Sequence, residues 1–427
     1  MAAQVPNGGE IHEGCAPRRR VVITGIGAVT PIGTGAHGVW QGVRRGVSAV
    51  RRITRFDPTP FPSRIAAEVD GFDPHDFMDA RRARRLDRFS QFGLAAARLA
   101  VEDARLEING ARDETGVYLG SALGGVAFGE EQHANYLRGG VRAVHPLLAL
   151  AVFGGAGSCN IAIELGLTGP NIANANSCAS GAIAIGEAFH AIRAGRATVL
   201  VAGGVEAPLA PLTFGAFALI KAMSTANDEP ERASRPFDRR RDGFVMAEGA
   251  ALLLLEDYGH ALRRGAAIYA EVLGYATTND AYHMTAPQPE GEQAARAVTL
   301  ALAEAGVAPH ELDYINAHGS STPLNDTTET LVFKRALGEA AGGVPISGTK
   351  GLHGHALGAA GAIEAAICAL VMRHDWLPPT ANLEEPDPAC DLDYIRGEGR
   401  ERRVHYVLST SFGFGGINAA LVLGEAA

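Results

Sequence analysis

Asn174-Ala-Asn-Ser-Cys178-Ala-Ser-Gly181 sets one cysteine between two segments of different habit. Before it, residues 167–175 read as a Gly-Pro turn leading into a short extended run, expected to be a buried strand. After it, Ala182-Ile-Ala-Ile-Gly-Glu-Ala-Phe-His-Ala-Ile192 is apolar or small almost all round, as a core helix is. Cys178 then falls at the helix N-terminus. Unpaired N–H groups and the positive dipole end favour an anion there by roughly 0.3–1 kcal/mol. This predicts a thiol pKa lowered by about one pH unit and a usable nucleophile near neutral pH. A lone cysteine is equally at home as a small buried hydrophobe, and this stretch alone leaves both readings open.

Outward from the cysteine, strands and helices alternate. Arg18-Arg-Arg-Val-Val-Ile-Thr24-Gly-Ile-Gly27 reads as a first strand ending in a glycine turn. The spacing is not G-x-G-x-x-G and Pro31 interrupts the turn, so a dinucleotide site is not indicated. A single amphipathic helix is expected over 79–106, its start carrying Arg81, Arg82, Arg84, Arg85 and Arg88. Arginines there oppose the helix dipole, which suggests docking of an acidic partner or a solvated face. Strands are expected over 115–121, 197–204 and 250–256. The excursion between the last two holds Ser234-Arg-Pro-Phe-Asp238 and Arg241-Asp-Gly-Phe244, read as structural ion pairs. A second series comes next, with strands over 267–275, 312–316, 344–347, 404–409 and 419–423 and helices over 291–306, 325–337 and 356–372. The pattern predicts an α/β fold with largely parallel, buried sheets.

The chain has 427 residues, 47% hydrophobic and 20% charged, enough for one large or two fused domains. Cysteines at 15, 159, 178, 368 and 390 form neither a Cys-x-x-Cys pair nor an even framework. This points to a reducing, cytoplasmic setting and away from a structural zinc site. Residues 1–18 read as a flexible tail without a secretory h-region, and no membrane span is indicated. A net charge of −9 argues against nucleic acid as a partner, although 35 of the 38 basic residues are arginine.

Three further phrases carry chemistry. Asn316-Ala-His318-Gly-Ser-Ser-Thr-Pro323 puts His318 on the loop after a strand, where α/β sites lie. Gly348-Thr-Lys350-Gly-Leu-His353-Gly-His355 delivers a lysine and two histidines ahead of a small-residue helix, whose dipole should keep His355 neutral. Ser411-Phe-Gly-Phe-Gly-Gly-Ile-Asn418 is a glycine-rich loop whose N–H groups can approach a substrate closely.

The order Cys, His, Lys-x₄-His, Gly-Phe-Gly-Gly, at spacings of about 140, 32 and 60 residues, resembles the β-ketoacyl-acyl carrier protein synthases of the thiolase superfamily. Asp280-Ala-Tyr-His-Met-Thr285 and Ser234 to Asp238 support the likeness, which runs over nearly the whole chain and is strongest to synthase II and to type II polyketide ketosynthases. The resemblance implies a five-layered αβαβα fold of two similar halves, here 19–265 and 266–427, and a dimer. It implies decarboxylative condensation of malonyl-carrier with an acyl group held on Cys178, with His318 and His355 serving decarboxylation. Lys350 would order the site with Glu364, and the N–H groups of Cys178 and Phe414 would form an oxyanion hole. Phe414 would also gate an acyl pocket lined by Leu123, Leu147 and Leu148, and Ser320 and Thr322 would bind the pantetheine arm. The implied partner is acyl carrier protein, docked on Arg81, Arg82, Arg84 and Arg85 with help from Arg142. No metal and no cofactor is implied beyond the carrier's own phosphopantetheine.

The chain departs from the family where Thr-Ala-Cys-Thr-Ser-Gly is usual, carrying Ala175-Asn-Ser-Cys-Ala-Ser-Gly181. It also has Gly351-Leu-His-Gly-His355 for Ser-Met-x-Gly-His, and Ile417 for a threonine. His353 is expected to be a loop histidine. Three readings stay open: a self-sufficient synthase II homodimer, a polyketide ketosynthase paired with a chain-length factor, and a non-catalytic factor or scaffold subunit. Cys178 speaks against the last.

Overall fold

The structure, a computed structural model, describes residues 18–108 and 112–426, so the expected tail, apart from Arg18, and Cys15 lie outside the described residues. The first strand does not stop at its glycines: β1 runs unbroken and buried over Val21–Thr30. Those glycines serve a helix instead. α1 (Arg88–Asp103) crosses so closely that a Cβ on Gly27 would lie 1.8 Å from the Ala96 carbonyl oxygen. Glycine inside a strand marks such a backbone approach as readily as it marks a turn.

The other strands along the path of the main sheet are β2 (Thr115–Gly120), β3 (Asn171–Asn174), β4 (Val199–Glu206), β5 (Gly249–Asp257), β6 (Ala270–Asn279), β7 (Tyr314–Asn316), β8 (Ile346–Ser347), β9 (Tyr406–Gly413) and β10 (Ile417–Gly424). They pair in the order β8-β7-β9-β10-β6-β1-β5-β4-β2-β3. Outward from the centre, one arm reads 1-5-4-2-3 and the other 6-10-9-7-8, the same order advanced by five. Pair directions repeat as well: β1–β5 and β5–β4 are antiparallel while β4–β2 and β2–β3 are parallel, and β6–β10, β10–β9, β9–β7 and β7–β8 do the same in turn. The expectation of largely parallel sheets is therefore corrected. The three residues between β9 and β10 can join only an antiparallel pair, and β5 enters its own arm in the same sense.

The remaining long helices of the site-bearing layers are α2 (Ala156–Leu165), α3 (Ser180–Arg193), α4 (Glu292–Ala305), α5 (Pro323–Leu337) and α6 (Ala360–His374). α1 and α2 cover one outer face and α4 and α5 the other, while α3 and α6 lie together between the two arms of the sheet and touch strands of both. The layers thus run αβαβα, as expected. The stretch Leu357–His374 is long and apolar enough to cross a membrane, but it is 89% buried in this central layer.

Small residues let the two central helices cross at their N-terminal ends. A Cβ on Gly181 would lie 2.9 Å from the Gly358 carbonyl oxygen, and one on Gly361 2.9 Å from Ala182 Cβ. Each helix is entered through a 3-10 turn, Ser177–Ala179 or Leu357–Ala359. Each turn opens on a left-handed residue, Ser177 at φ 53° and Leu357 at φ 41°. The crossing therefore brings the Cys178 turn and the His355 segment to one place.

Two local expectations fail. The helix expected over 79–106 is two helices, Ala80–Ala83 and α1, because Asp79 accepts from Arg82 N (2.8 Å) and Asp87 from Phe89 N (2.9 Å). Each aspartate caps a fresh N-terminus, so acids rather than arginines meet the dipoles. The strand before the cysteine, β3, is not buried: it is the sheet edge, and most of it is exposed.

Candidate active site

Cys178 is held from both sides. Asn174 Nδ2 donates to the Ser180 carbonyl (3.1 Å) and Ser180 Oγ to the Ser177 carbonyl (2.7 Å), which closes the turn on itself. From the other arm of the sheet the β9–β10 hairpin presses in, so that a Cβ on Gly413 would lie 3.1 Å from Cys178 N. The hairpin tip needs its glycines, since Gly415 (φ 86°) and Gly416 (φ 73°) are left-handed. It is anchored to the 280–285 loop by Gly415 N donating to the Met284 carbonyl (2.8 Å) and Asn418 Nδ2 to Asp280 Oδ1 (2.7 Å). The hairpin thereby packs Phe414 against the apolar cluster that holds Cys178.

The thiol itself corrects the sequence reading. Cys178 is 7% exposed, and burial pushes its pKa up rather than down. The Ser177 hydroxyl, the Lys350 ammonium and the Phe414 N–H pull the other way. A helix dipole acts within its first turn, and here a 3-10 turn separates the sulfur from α3 in a desolvated setting.

His318 comes after β7, and its loop is cradled by the buried Glu329 carboxylate. That group accepts from His318 N (2.7 Å), Gly319 N (2.8 Å) and Thr410 Oγ1 (2.9 Å), and burial pushes it up to about 7. Lys350 Nζ donates to the His318 carbonyl (2.6 Å), sits 3.4 Å from His318 Nδ1 and pairs with the wholly buried Glu364. Burial lifts Glu364 to about 7 against the pull of that lysine. An ammonium only donates. Nδ1 of His318 is therefore the acceptor, and its proton sits on Nε2.

The His355 backbone is pinned on both sides, its N–H donating to the Val245 carbonyl (2.7 Å) and its carbonyl accepting from Ala247 N (2.9 Å). The two imidazoles lie 5.2 Å apart at 83°. Burial first, then the Lys350 charge, holds both well below the usual imidazole value. His355 is neutral as expected, but burial and the lysine are the reason rather than a helix dipole. His353 is no loop residue: it ends the short helix Lys350–His353, wholly buried, with Nε2 3.2 Å from Thr349 Oγ1.

Cys178, His318, His355, Ser320, Thr322 and Phe414 all line one cavity of about 330 Å3. Ser320 and Thr322 share a 3.0 Å hydroxyl contact on its wall. Phe414 stacks on Phe217, Phe217 meets Phe244, and Phe244 meets the His355 ring edge-on at 5.4 Å, so an aromatic row joins the hairpin tip to the histidine. Leu147 and Leu148 are not in this cavity. Leu148 and Leu123 line a separate groove with Phe56 and Leu209, and Leu147 faces a third hollow beside Arg85. Of the three leucines only Leu123 reaches the apolar cluster that holds Cys178, where Phe56 and Leu209 join it.

Of the arginines, Arg81, Arg84, Arg85 and Arg142 are exposed. Arg82 is engaged, donating to the Asn160 carbonyl (3.1 Å) and pairing with Glu164. Arg241 is a structural ion pair as read, 2.7 Å from Asp387. Lys221, not singled out in the sequence, is exposed, left-handed at φ 58°, and lines the same cavity as Cys178. Being one of only three lysines was its sole signal. Ile417 is half-buried at the start of β10. Among the described residues no group of three His, Cys, Asp or Glu is arranged to hold a metal ion.

Family models agree with this geometry. The N-terminal domain of β-ketoacyl synthase matches residues 18–261 and its C-terminal domain residues 269–384. The chain is 46% identical over 405 residues to 3-oxoacyl-[acyl-carrier-protein] synthase 2 of Synechocystis, covering 95% of this chain and 97% of that protein. It is 45% identical to the Coxiella burnetii enzyme of the same name, covering 95% and 98%. Among solved structures, the ishigamide ketosynthase/chain length factor superposes with a TM-score of 0.91 at 36% identity, covering 96% of this chain and all of that one. A β-ketoacyl synthase from Burkholderia phymatum gives 0.88 at 37%, with the same coverage. A type II polyketide ketosynthase complexed with its acyl-carrier protein and bound to a hexaketide gives 0.86 at 37%, again with that coverage. The thiolase-like layering, the Cys-His-His cavity and these matches agree: the chain belongs to the β-ketoacyl synthase family.

Proposed function

We propose that Cys178 is the acylated nucleophile of a β-ketoacyl-acyl carrier protein synthase, and that His318 and His355 carry the decarboxylation. The chain is an acyltransferase of the decarboxylative Claisen type, extending a carrier-bound acyl chain by condensation with malonyl-carrier. The observation that carries the residue roles is the single cavity shared by the thiol and two neutral imidazoles. It also speaks against a non-catalytic factor, which has no use for that constellation. The Cys178 and Phe414 N–H groups form the oxyanion hole, Lys350 with Glu364 orders His318, Ser320 and Thr322 hold the pantetheine arm, and Phe414 gates. The thioester exchange and the enolate need donors and a thiolate, so no cofactor of the chain's own enters the scheme.

A second copy, or a chain-length-factor homologue, fits the exposed β3 edge, where Ile172 is 48% exposed. Unpaired strand edges invite pairing with another chain. A cytoplasmic setting fits the four described cysteines, all free. The test is the purified chain with malonyl-carrier and a series of acyl-carriers, its mass followed by light scattering. A synthase II extends medium-chain acyl groups unaided as a homodimer. Activity only after a chain-length-factor homologue is added assigns it to polyketide synthesis, and an inert chain with either partner overturns the proposal. We favour independent activity, as the synthase 2 relatives are the more similar in sequence.

Docking of the acidic carrier falls to Arg81, Arg84, Arg85 and Arg142, joined by the exposed Lys221 that lines the cavity. Exposed charges act over about 8–10 Å at moderate salt. Charge reversal at Arg84 and Arg85, or at Lys221, should raise KM for the carrier several-fold at low salt and much less at high salt. An unchanged KM at low salt would make that group ordinary solvated surface. Arg82 is left out of the test, because reversing it would break its Asn160 and Glu164 contacts.

A further inference from the structure

The residue before the nucleophile is serine, where the family's usual Thr-Ala-Cys-Thr-Ser-Gly has alanine, and it occupies the strained position of the turn. Ser177 is left-handed at φ 53°, a conformation that non-glycine residues adopt at a cost. It puts Oγ 3.8 Å from Cys178 Sγ, within hydrogen-bonding reach for sulfur. The geometry is locked, since Gly413 closes on the same spot and a Cβ there would lie 3.2 Å from Ser177 Cβ. The sulfur meanwhile is buried in an apolar cluster with Leu209, Phe214 and Phe244. A thiolate in such a place needs donors.

From this we infer that Ser177 is a further catalytic residue, its Oγ–H donating to the Cys178 sulfur as the thiolate forms. In the exchange, the Sγ–carbonyl carbon bond forms as the carrier's C–S bond breaks. The cysteine proton passes to the departing pantetheine thiolate, and Ser177 keeps its own proton throughout. Its bond is spent on the thiolate and released once the sulfur is acylated, so the hydroxyl favours the charged nucleophile over the thioester. The inference rests on Cys178 being the nucleophile.

The test is the pH profile of iodoacetamide alkylation of Cys178, followed on its own peptide by mass spectrometry so that the exposed Cys159 does not interfere. Two variants are compared with the parent: Ser177→Ala removes the hydroxyl, and Ser177→Gly removes it while relieving the left-handed strain. A hydrogen bond to a charged group is lost in each, so both midpoints should rise by about one pH unit and the rate at pH 7 should fall about ten-fold, with the high-pH plateau unchanged. A merely structural serine would alter the plateau or the yield of folded protein and leave the midpoint alone. A midpoint equal to the parent's in the Gly variant overturns the inference. Failure of the parent's Cys178 to take an acyl group from the carrier overturns the nucleophile assignment instead.

Discussion

Cys178→Ala is expected to abolish acyl transfer while leaving the fold in place. Mixed with acyl-carrier, the parent should gain the mass of one acyl group and the variant none, by intact-mass spectrometry. The side chain is small, 7% exposed and packed in an apolar cluster, so alanine removes one sulfur without forcing the turn to move. Core truncations of that size cost about 1 kcal/mol or somewhat more, a loss a chain with this much buried surface tolerates. The chemistry has no substitute. None of the other three described cysteines, Cys159, Cys368 and Cys390, lines the cavity that holds the histidines. Ser177, whose hydroxyl lies 3.8 Å from the Cys178 sulfur, is an alcohol and a far weaker nucleophile than a thiol near neutral pH. An adduct that persists on the variant would move the nucleophile elsewhere and end the assignment.

How much of the molecule could be read from its sequence depends on the range of the interactions involved. Helices α3, α4, α5 and α6 were legible because their apolar patterns are local and long, and His318, Lys350 and His355 because each sits in a phrase next to such an element. The break at Asp87 was not legible, since the amphipathic period runs through it and only the cap bond to Phe89 N shows that a new helix begins. Nor was the role of Gly25 and Gly27, whose close neighbour, α1, lies about seventy residues along the chain. The mixed sheet was hidden because strand direction is set by which elements return beside one another, a long-range property. The sign of the Cys178 shift was misread for a similar reason. A dipole can be read from a helix start, whereas desolvation comes from burial in a cluster whose members, Leu209, Phe214 and Phe244 among them, are remote in sequence. The acyl-pocket leucines show the same limit. Resemblance placed Leu147 and Leu148 with Phe414, and in this chain they face other hollows.

Replacing either histidine should separate the two half-reactions. His318→Ala and His355→Ala are each expected to lower carbon dioxide release from labelled malonyl-carrier by about 10²–10³-fold, the usual cost of one oxyanion donor, while self-acylation persists. Decarboxylation leaves charge on the enolate oxygen. In the proposed scheme His318 would offer Nε2–H to it, because Lys350 lies 3.4 Å from Nδ1, and the His355 ring lies 5.2 Å away, centroid to centroid. Both must be neutral, since an imidazolium would hand its proton to the carbanion. Burial and Lys350 hold both well below the ordinary imidazole value, so as pH falls through 6.5 they stay neutral, and the acid limb of decarboxylation should lie well below that pH. Acylation survives because the thiolate's supports lie elsewhere, in Phe414 N–H, Lys350 and Ser177. The folds survive because the backbone bonds at both sites do not use the rings: Lys350 still reaches the His318 carbonyl, and residue 355 still bridges Val245 and Ala247. Near-normal release from either variant would remove that histidine from the chemistry. A loss of acylation equal to the loss of release would show instead that the imidazole acts on the thiol, so the ratio of the two rates decides between an enolate donor and a general base.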